Sequence, residues 1–298
     1  PSITVPAAAL SIPNYEPHPL GEVDLVGHAA PESVQPGQEM WLWLYWQART
    51  PPDPKTTLRL TLTSSDGQSL TSDVPLFESA ANFAGWQPDQ VRRAVYHLPT
   101  SPRLSGRQAR LTLALLNPAA EGVESQLTLP PLELETRART FEPPPIPHRL
   151  DTVFGDPALL TLLGYEAAVE INDQSLALAG EPLSLAQLAS ASTAQLLVSL
   201  YWQPQAEIET DYTVFVQLLD PAGQVAAQVD LPPLAGAAPT TTWLPGEVLT
   251  DPYRLPLPAD LAPGPYRLIT GLYEPATGRR LPLAGGGNAV ELQQLTIQ

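Results

Sequence analysis

Apolar and polar residues alternate along many short stretches of this chain, and glycine and proline separate the stretches. Within Met40–Trp46, for example, the even-numbered residues Met40, Leu42, Leu44 and Trp46 are all apolar. A period of two is the pattern of a strand that buries one face, and no long segment follows the helical period. The pattern therefore predicts an all-β protein built from antiparallel strands.

Two of the alternating segments contain turn sequences at their centres. Asp66 and Gly67 divide the first segment, and Asp220–Gly223 divides the second. Aspartate and glycine are suited to the positive φ angles of tight hairpin turns. Each segment is thus predicted to form a β-hairpin.

The tetrapeptide LYWQ occurs twice, at Leu44–Gln47 and at Leu200–Gln203, 156 residues apart. After one inserted residue the offset becomes 157, and it then places Trp86 on Trp243. A register that holds over such a length indicates a tandem duplication. The sequence predicts two antiparallel β-sandwiches in tandem, each immunoglobulin-like or jelly-roll-like.

The position at which each copy begins is predicted from short sequence matches between the two copies. Pro17–Leu20 (PHPL) resembles Pro147–Leu150 (PHRL), and Gly27 in LVGH resembles Gly164 in LLGY. The second copy has more residues between its glycine and its LYWQ, which indicates an insertion near 171–190.

These matches divide the chain into four parts. Residues 1–16 are predicted to be the end of a preceding element and a linker, and 17–139 the first sandwich. A proline-rich linker at 140–149 is expected to be extended and stiff, and 150–298 forms the second sandwich. Because the two proline-rich segments look alike, the native protein is expected to continue upstream.

The strand that contains LYWQ has two different faces. The face with Trp46 is apolar in both copies and is predicted to be core, with Trp202 as the buried equivalent of Trp46. On the opposite face the first copy carries Trp41, Trp43 and Tyr45, whereas the second carries Leu197, Ser199 and Tyr201. Packing common to both copies cannot explain the extra rings, so Trp41, Trp43 and Tyr45 are the candidate ligand or partner contact. The alternative is a cover for this face, such as the N-terminal strand.

Charge narrows the range of partners. The formal net charge is −16, and Lys55 is the only lysine. Such a surface repels nucleic acid and anionic lipid, so neither is an expected partner. Apolar runs are too short to span a membrane, and the absence of cysteine excludes disulfides and thiolate metal sites. No metal or other cofactor is expected.

The chain contains no recognised catalytic motif. Four acids are candidates for a glycosidase pair, in which two carboxylates flank the sugar bond. Solvated or turn-capping roles are favoured for these acids: Asp220, Glu247, Asp251 and Glu274. The histidines are scattered, at His18, His28, His97 and His148. The matched loop tryptophans Trp86 and Trp243 are predicted to plug the ends of the sandwiches. We therefore expect no enzyme activity.

The second copy, with YTVFVQLLDPAGQVAAQ followed by TWLPGEVLTDPYRLPLPADLAPGPYRLITGLYEPATGRRLPL, resembles a known module. This is the β-sandwich found on the extracytoplasmic side of bacterial membrane glycosyltransferases of the protein-mannosyltransferase type, and in tandem in bacterial surface proteins. The similarity covers Gly164 to Leu283, and the first copy matches more weakly. It implies an extracytoplasmic, cell-surface or secreted location and a structural or interaction role, with protein partners or self-assembly through sheet faces and edges. The alternative is a carbohydrate-binding appendage of a glycan-active enzyme.

Overall fold

The computed structural model describes residues 4–6, 11–50, 52–77, 86–88, 90–116, 123–178 and 182–298. The chain is all-β and divides into two compact units, Pro1–Arg137 and Ala138–Gln298. Within the described ranges no helix is long and apolar enough to cross a membrane.

The first unit is built from short strands. In chain order they are β1 (Thr4–Pro6), β2 (His18–Leu20), β3 (Val23–Ala29), β4 (Ser33–Val34), β5 (Glu39–Ala48), β6 (Thr57–Ser64), β7 (Ser69–Pro75), β8 (Gln90–Pro99), β9 (Gln108–Leu116), β10 (Val123–Thr128) and β11 (Leu132–Leu134). They form two sheets, one in the order β1-β8-β5-β3-β2 and the other in the order β4-β11-β9-β6-β7, with β10 also paired to β9. All pairs are antiparallel except β4 with β11.

The second unit repeats this plan. They are β12 (His148–Phe154), β13 (Leu160–Ile171), β14 (Gln174–Ala177), β15 (Ala194–Pro204), β16 (Thr213–Leu219), β17 (Val225–Leu231), β18 (Leu249–Pro256), β19 (Gly264–Tyr273) and β20 (Val290–Ile297), with one short helix, α1 (Leu185–Ser190). One sheet has the order β12-β13-β15-β18, with β14 also on β13, and the other has β17-β16-β19-β20.

Each unit is a sandwich because the inward faces of its two sheets share one apolar core. The first core joins residues of β5 and β8 to residues of β6 and β9, and the second joins β15 and β18 to β16 and β19. Trp46 and Trp202 are both fully buried, as the repeat predicted. The hairpin turns are also confirmed, since Gly67 and Gly223 have φ angles of 84° and 80°.

The bulge in the strand before LYWQ is the same in both units. Register shifts lie between Leu25 and Gly27 in β3 and between Leu162 and Gly164 in β13. A Cβ atom on Gly27 would overlap the side chain of Ile12 and lie 2.7 Å from the carbonyl oxygen of Pro13. Glycine is therefore required for a close approach of the preceding segment.

At Gly164 the approaching segment contains Ile146, whose side chain a Cβ atom would meet at 2.7 Å. The structural match is thus Ile12-Pro13 with Ile146-Pro147, and the predicted match of the two Pro-His pairs is wrong. His18 pairs with Leu25, whereas His148 pairs with Tyr165 beyond the bulge.

Both segments predicted to be linkers contribute to a sandwich. Thr4–Pro6 pairs with Gln90–Arg92 of β8, so this part of 1–16 belongs to the first unit and not to a preceding element. In the predicted linker 140–149, the carbonyl of Thr140 accepts a hydrogen bond of 2.8 Å from the backbone N–H of Val248. Main-chain hydrogen bonds to a sheet edge hold these segments, and a proline-rich composition gives no sign of them.

The region of the predicted insertion adds cover to one edge of the second sandwich. It contains β14, which pairs with β13, and α1, whose Leu188 is buried in the core. Between them, Leu183 forms a parallel bridge to Ile297 of β20. The added segment thus has contacts with both sheets of this unit.

Replacing Trp46 or Trp202 with alanine is expected to lower the free energy of unfolding by about 3–5 kcal/mol, because each leaves a large cavity in a dry core. Trp41, on the same strand as Trp46 but 44% exposed, provides the matched control. Trp41→Ala should cost about 1 kcal/mol or less. Denaturant unfolding followed by fluorescence measures all three, and equal losses for Trp46→Ala and Trp41→Ala would contradict the assignment of the core face.

Candidate functional site

The three aromatic residues predicted to contact a ligand lie on the outer face of β5. Trp41 is 44% exposed, and Trp43 and Tyr45 are partly buried. The N-terminal strand β1 pairs with β8 around Val91, which lies opposite Gln47, so β1 lies toward the end of β5 that is far from Trp41. Their role as a contact site stays a prediction, and the geometry around each ring differs.

Trp41 is the most accessible of the three and contacts a histidine ring that is tilted by 44° to it. Its ring centroid lies 3.6 Å from that of His97, which is opposite Trp41 in the β5–β8 register. The Nδ1 atom of His97 lies 4.0 Å from Oε2 of Glu39. The offset of the repeat places Arg254 where His97 stands, so a mismatch in the duplication could have identified this neighbour.

Tyr45 belongs to a patch that both units keep. In the second unit its equivalent Tyr201 is buried, in a small apolar cluster with Leu163, Val248 and Ile146. In the first unit the equivalents of Leu163 and Val248 are buried as well. Tyr45 pairs with the bulge glycine, so its structural setting is that of Tyr201. Only the two tryptophans are specific to the first unit.

A groove of about 420 Å³ borders the tryptophans. It lies between the start of β5 and the chain that precedes it, and its lining combines aromatic, amide and carboxylate side chains. The lining residues are Ala29, Ala30, Pro31, Ser33, Val34, Gln35, Gln38, Glu39, Met40, Trp41 and Trp43. Rings beside planar polar groups can bind a partner by apolar burial and hydrogen bonding together.

A larger cleft of about 740 Å³ lies within the first unit. Its floor includes Leu111 and Leu129, and its walls include His18 and His28. Burial lowers the pKa of His28, the nearby His18 lowers it further, and Glu16 acts in the opposite direction. In the second unit the equivalent of His28 is Tyr165, whose hydroxyl donates to the carbonyl of Leu292 on the other sheet. The shorter imidazole makes no such hydrogen bond among those described, and the cleft is found beside it.

The four histidines do not form a metal site. His97 contacts the ring of Trp41, and His148 stacks on Tyr165 at 4.7 Å. In the part of the chain that the structure describes, no three histidine or carboxylate side chains group in a way that could hold a metal ion.

Glu247 is buried, so a solvated role is wrong for it, and it caps its own turn from inside the second unit. Its side chain is fully inaccessible, and its Oε2 atom accepts a hydrogen bond of 2.6 Å from Nη1 of Arg139. The same oxygen accepts from the backbone N–H of Leu244 at 3.1 Å. This ion pair fixes the start of the second unit against the loop before β18, and the carboxylate is occupied structurally.

Asp251 is also buried, at 1% exposure, and the expected solvated role is wrong for it too. Its two oxygens accept hydrogen bonds from the Leu234 N–H at 2.8 Å and from the Tyr253 hydroxyl at 2.5 Å. Burial raises the pKa of Asp251 to about 6, and these hydrogen bonds oppose that rise only in part. The first unit has Ala94 at this position.

The remaining two acids serve turns, as predicted. Asp220 accepts from the backbone N–H groups of Ala222 and Gln224 at 2.9 and 2.7 Å. Glu274 accepts from the hydroxyl of Thr277 at 2.6 Å. None of the four candidate acids is therefore available as a member of an open catalytic pair.

The loop tryptophans are core plugs, as predicted. Trp86 is 2% exposed and donates to the carbonyl of Gln90 at 2.9 Å, and Trp243 is fully buried and donates to the carbonyl of Ala238 at 2.8 Å. Each indole N–H is satisfied within its own unit, which is the requirement for a buried tryptophan.

No protein-family model and no curated protein matches the chain. Solved structures with some likeness include one named BspA_C_WT, at 7% sequence identity over 90% of this chain and 96% of that one, with a TM-score of 0.25. Another is the C-terminal domain of the Streptococcus agalactiae AgI/II polypeptide BspA, at 9% identity over 90% and 95% of the two chains, with a TM-score of 0.24. Scores this low carry no functional argument.

The environment of Asp251 predicts a pH-dependent stability. The folded-state pKa of about 6 exceeds the ordinary value of 3.8, so the folded state binds the proton more tightly than the unfolded state. This contribution is therefore favourable at low pH and is lost as the pH rises through about 6.

Relative to Asp251→Asn, the wild-type chain should lose about 2 kcal/mol of unfolding free energy between pH 4.5 and 7.5. Urea unfolding at both pH values measures this difference, and Asp220→Asn on an exposed turn is the control. Parallel stability curves for the wild type and Asp251→Asn would contradict the assignment.

Proposed function

We propose that this chain is a non-enzymatic, extracytoplasmic pair of β-sandwiches that forms the structural or interaction part of a larger cell-surface or envelope protein. One observation carries the interaction role. The two units keep the same core tryptophan and the same Tyr45/Tyr201 patch, yet only the first unit presents Trp41 and Trp43. Trp41 is exposed and Trp43 is partly buried, and indoles beside a groove are a common form of recognition surface.

The environment of the acids supports a role without catalysis. Glu247 and Asp251 are engaged in buried hydrogen bonds, and Asp220 and Glu274 bind their own turns. A glycosidase needs one proton donor and one free carboxylate facing a substrate cleft. The extracytoplasmic location rests on the sequence resemblance to the sandwich modules of surface and membrane proteins.

The contact role is tested with Trp41→Leu and Trp43→Ser together, which introduce the second unit's own residues at these positions. Cross-linking in the native envelope should yield a defined partner adduct with wild type, and the adduct should decrease at least tenfold with the double variant. Thr61→Ala, on the polar face of the other sheet, should leave it unchanged. An adduct that persists in the double variant contradicts the proposal.

Carbohydrate binding is the second candidate, and the mixed lining of the groove favours it. Gln35, Gln38 and Glu39 lie beside Trp41, so stacking on the ring and hydrogen bonding to sugar hydroxyls could act together. The acidic net charge favours a neutral glycan over an anionic one.

A glycan array measures this candidate directly. Wild type should bind a restricted set of neutral glycans, and the Trp41→Leu, Trp43→Ser variant should lose the signal. Binding that is equal for both proteins would exclude these rings as the glycan site.

A further inference from the structure

The central strand β5 is paired unevenly on its two sides. Its pairing with β8 extends from Glu39 to Gln47. On the other side β3 pairs with it only as far as Trp43, which lies opposite Ala29. Within the described residues no strand pairs with Glu39–Leu42 on this side, although the segment lies in the middle strand of a sheet.

The second unit fills the equivalent position with its own chain. There β13 continues to Ile171 and pairs with β15 along its whole length, up to Ala194. The repeat offset equates Glu39–Leu42 with Gln195–Val198, and Ala167–Glu170 lies opposite the latter. One unit therefore shows the strand that the other lacks.

In the first unit the chain turns away from β5 after Ala29, so no strand of this unit lies beside Glu39–Leu42 in the described residues. Ser33 and Val34 form β4, which pairs with β11 in the other sheet instead of continuing β3 beside β5. Pro31 lies at the departure point, where it has no N–H to donate to a sheet ladder. The groove is lined by both sides of this departure, by Ala29–Pro31 and by Met40–Trp41.

We propose that this groove binds an extended segment of a partner protein, which adds to β5 as an antiparallel strand along Glu39–Leu42. Unpaired main-chain groups at a sheet edge are a template for such strand addition, and main-chain hydrogen bonds then supply the affinity. Trp41 and Trp43 flank the position on the outer face. The inference rests on the proposed contact role of these two rings.

The occupant of the second unit indicates the chemistry of the partner. Val169 lies opposite Leu196, the equivalent of Met40, so an apolar residue is expected at that position. Ala168 lies opposite the equivalent of Trp41, where a small residue leaves room for the indole. The inner side of the added strand should therefore be apolar, and the residue opposite Trp41 should be small.

Charge defines one further position of the added strand. In the second unit Glu170 lies opposite Gln195, but the first unit has Glu39 in the place of Gln195. Two carboxylates directly opposite each other are unfavourable, so the partner strand should carry lysine or arginine there. The net charge of −16 favours a basic segment as well.

The probe is a labelled peptide that copies residues 166–177 with Glu170→Lys. In the second unit this segment is the β13–β14 hairpin, with Asn172 and Asp173 at the positive φ angles of 49° and 62° in its turn. A hairpin is partly preorganised, which lowers the entropy lost on binding. Fluorescence polarisation with the full chain is expected to show saturable binding.

Two matched peptides separate strand addition from general adhesion. Methylation of the backbone nitrogens on the edge that faces β5 should weaken binding at least about tenfold, because it removes ladder hydrogen bonds and leaves the side chains unchanged. The unsubstituted peptide with Glu170 should also bind more weakly. Equal binding of the methylated peptide would overturn the proposal.

Hydrogen exchange with and without the peptide locates the site in the intact chain. Backbone amides within 39–43 should exchange more slowly when the peptide is bound, and those of 195–199 should not change. The Trp41→Leu, Trp43→Ser variant should bind the peptide less tightly. If no peptide binds while the envelope adduct still depends on both tryptophans, the strand inference fails and the proposed contact role stands.

Discussion

Each sandwich depends on a buried tryptophan of the central strand and a tyrosine of the neighbouring strand. In the first unit the indole N–H of Trp46 donates to the hydroxyl of Tyr96 at 3.2 Å, and this hydroxyl donates to the carbonyl of Leu76 at 2.7 Å. Buried polar atoms need such partners, because an unpaired donor or acceptor in a dry core is costly. The bonds therefore fix the register of β5 and β8 and tie both to the chain that follows β7.

The second unit places a carboxylate beside the equivalent tyrosine. Tyr253 donates to Asp251 and not to a backbone carbonyl, and Asp251 accepts the N–H of Leu234 from the segment after β17. The tyrosine strand is still linked to the segment that follows the hairpin, but the link now includes an ionisable carboxylate. Two cores of nearly the same apolar pattern are therefore expected to differ in how their stability depends on pH.

Periodicity was sufficient to predict the strands and the core face, since alternation along β5 and β15 coincides with burial at Trp46 and Trp202. It could also have placed Asp251, which is in phase with the buried Leu249, Tyr253 and Leu255 of β18. A solvated position was expected because aspartate is charged, although its place in the alternation of β18 indicates burial.

The pairing of the two predicted linker segments and the position of the groove could not be predicted from the sequence, for a different reason. Thr4–Pro6 and Thr140 are held by main-chain hydrogen bonds, which carry no side-chain signal. The two tryptophans were identifiable because they break the repeat. The groove beside them depends on where β3 leaves β5, and a single proline in a turn region does not specify that point.

The two units differ in the pairing of β5 and β15 but keep the core tryptophan of these strands, and the energetics explain why. Changing a buried residue such as Trp46 costs several kcal/mol, whereas rerouting a loop beside an edge costs little. A long open edge invites aggregation, and the second unit covers its edge with β13 and β14. Along the described part of β5, the first unit leaves Glu39–Leu42 open on one side, beside two bulky rings. A stretch of four residues is too short to propagate a sheet, yet it is long enough to hold the one short strand that we propose.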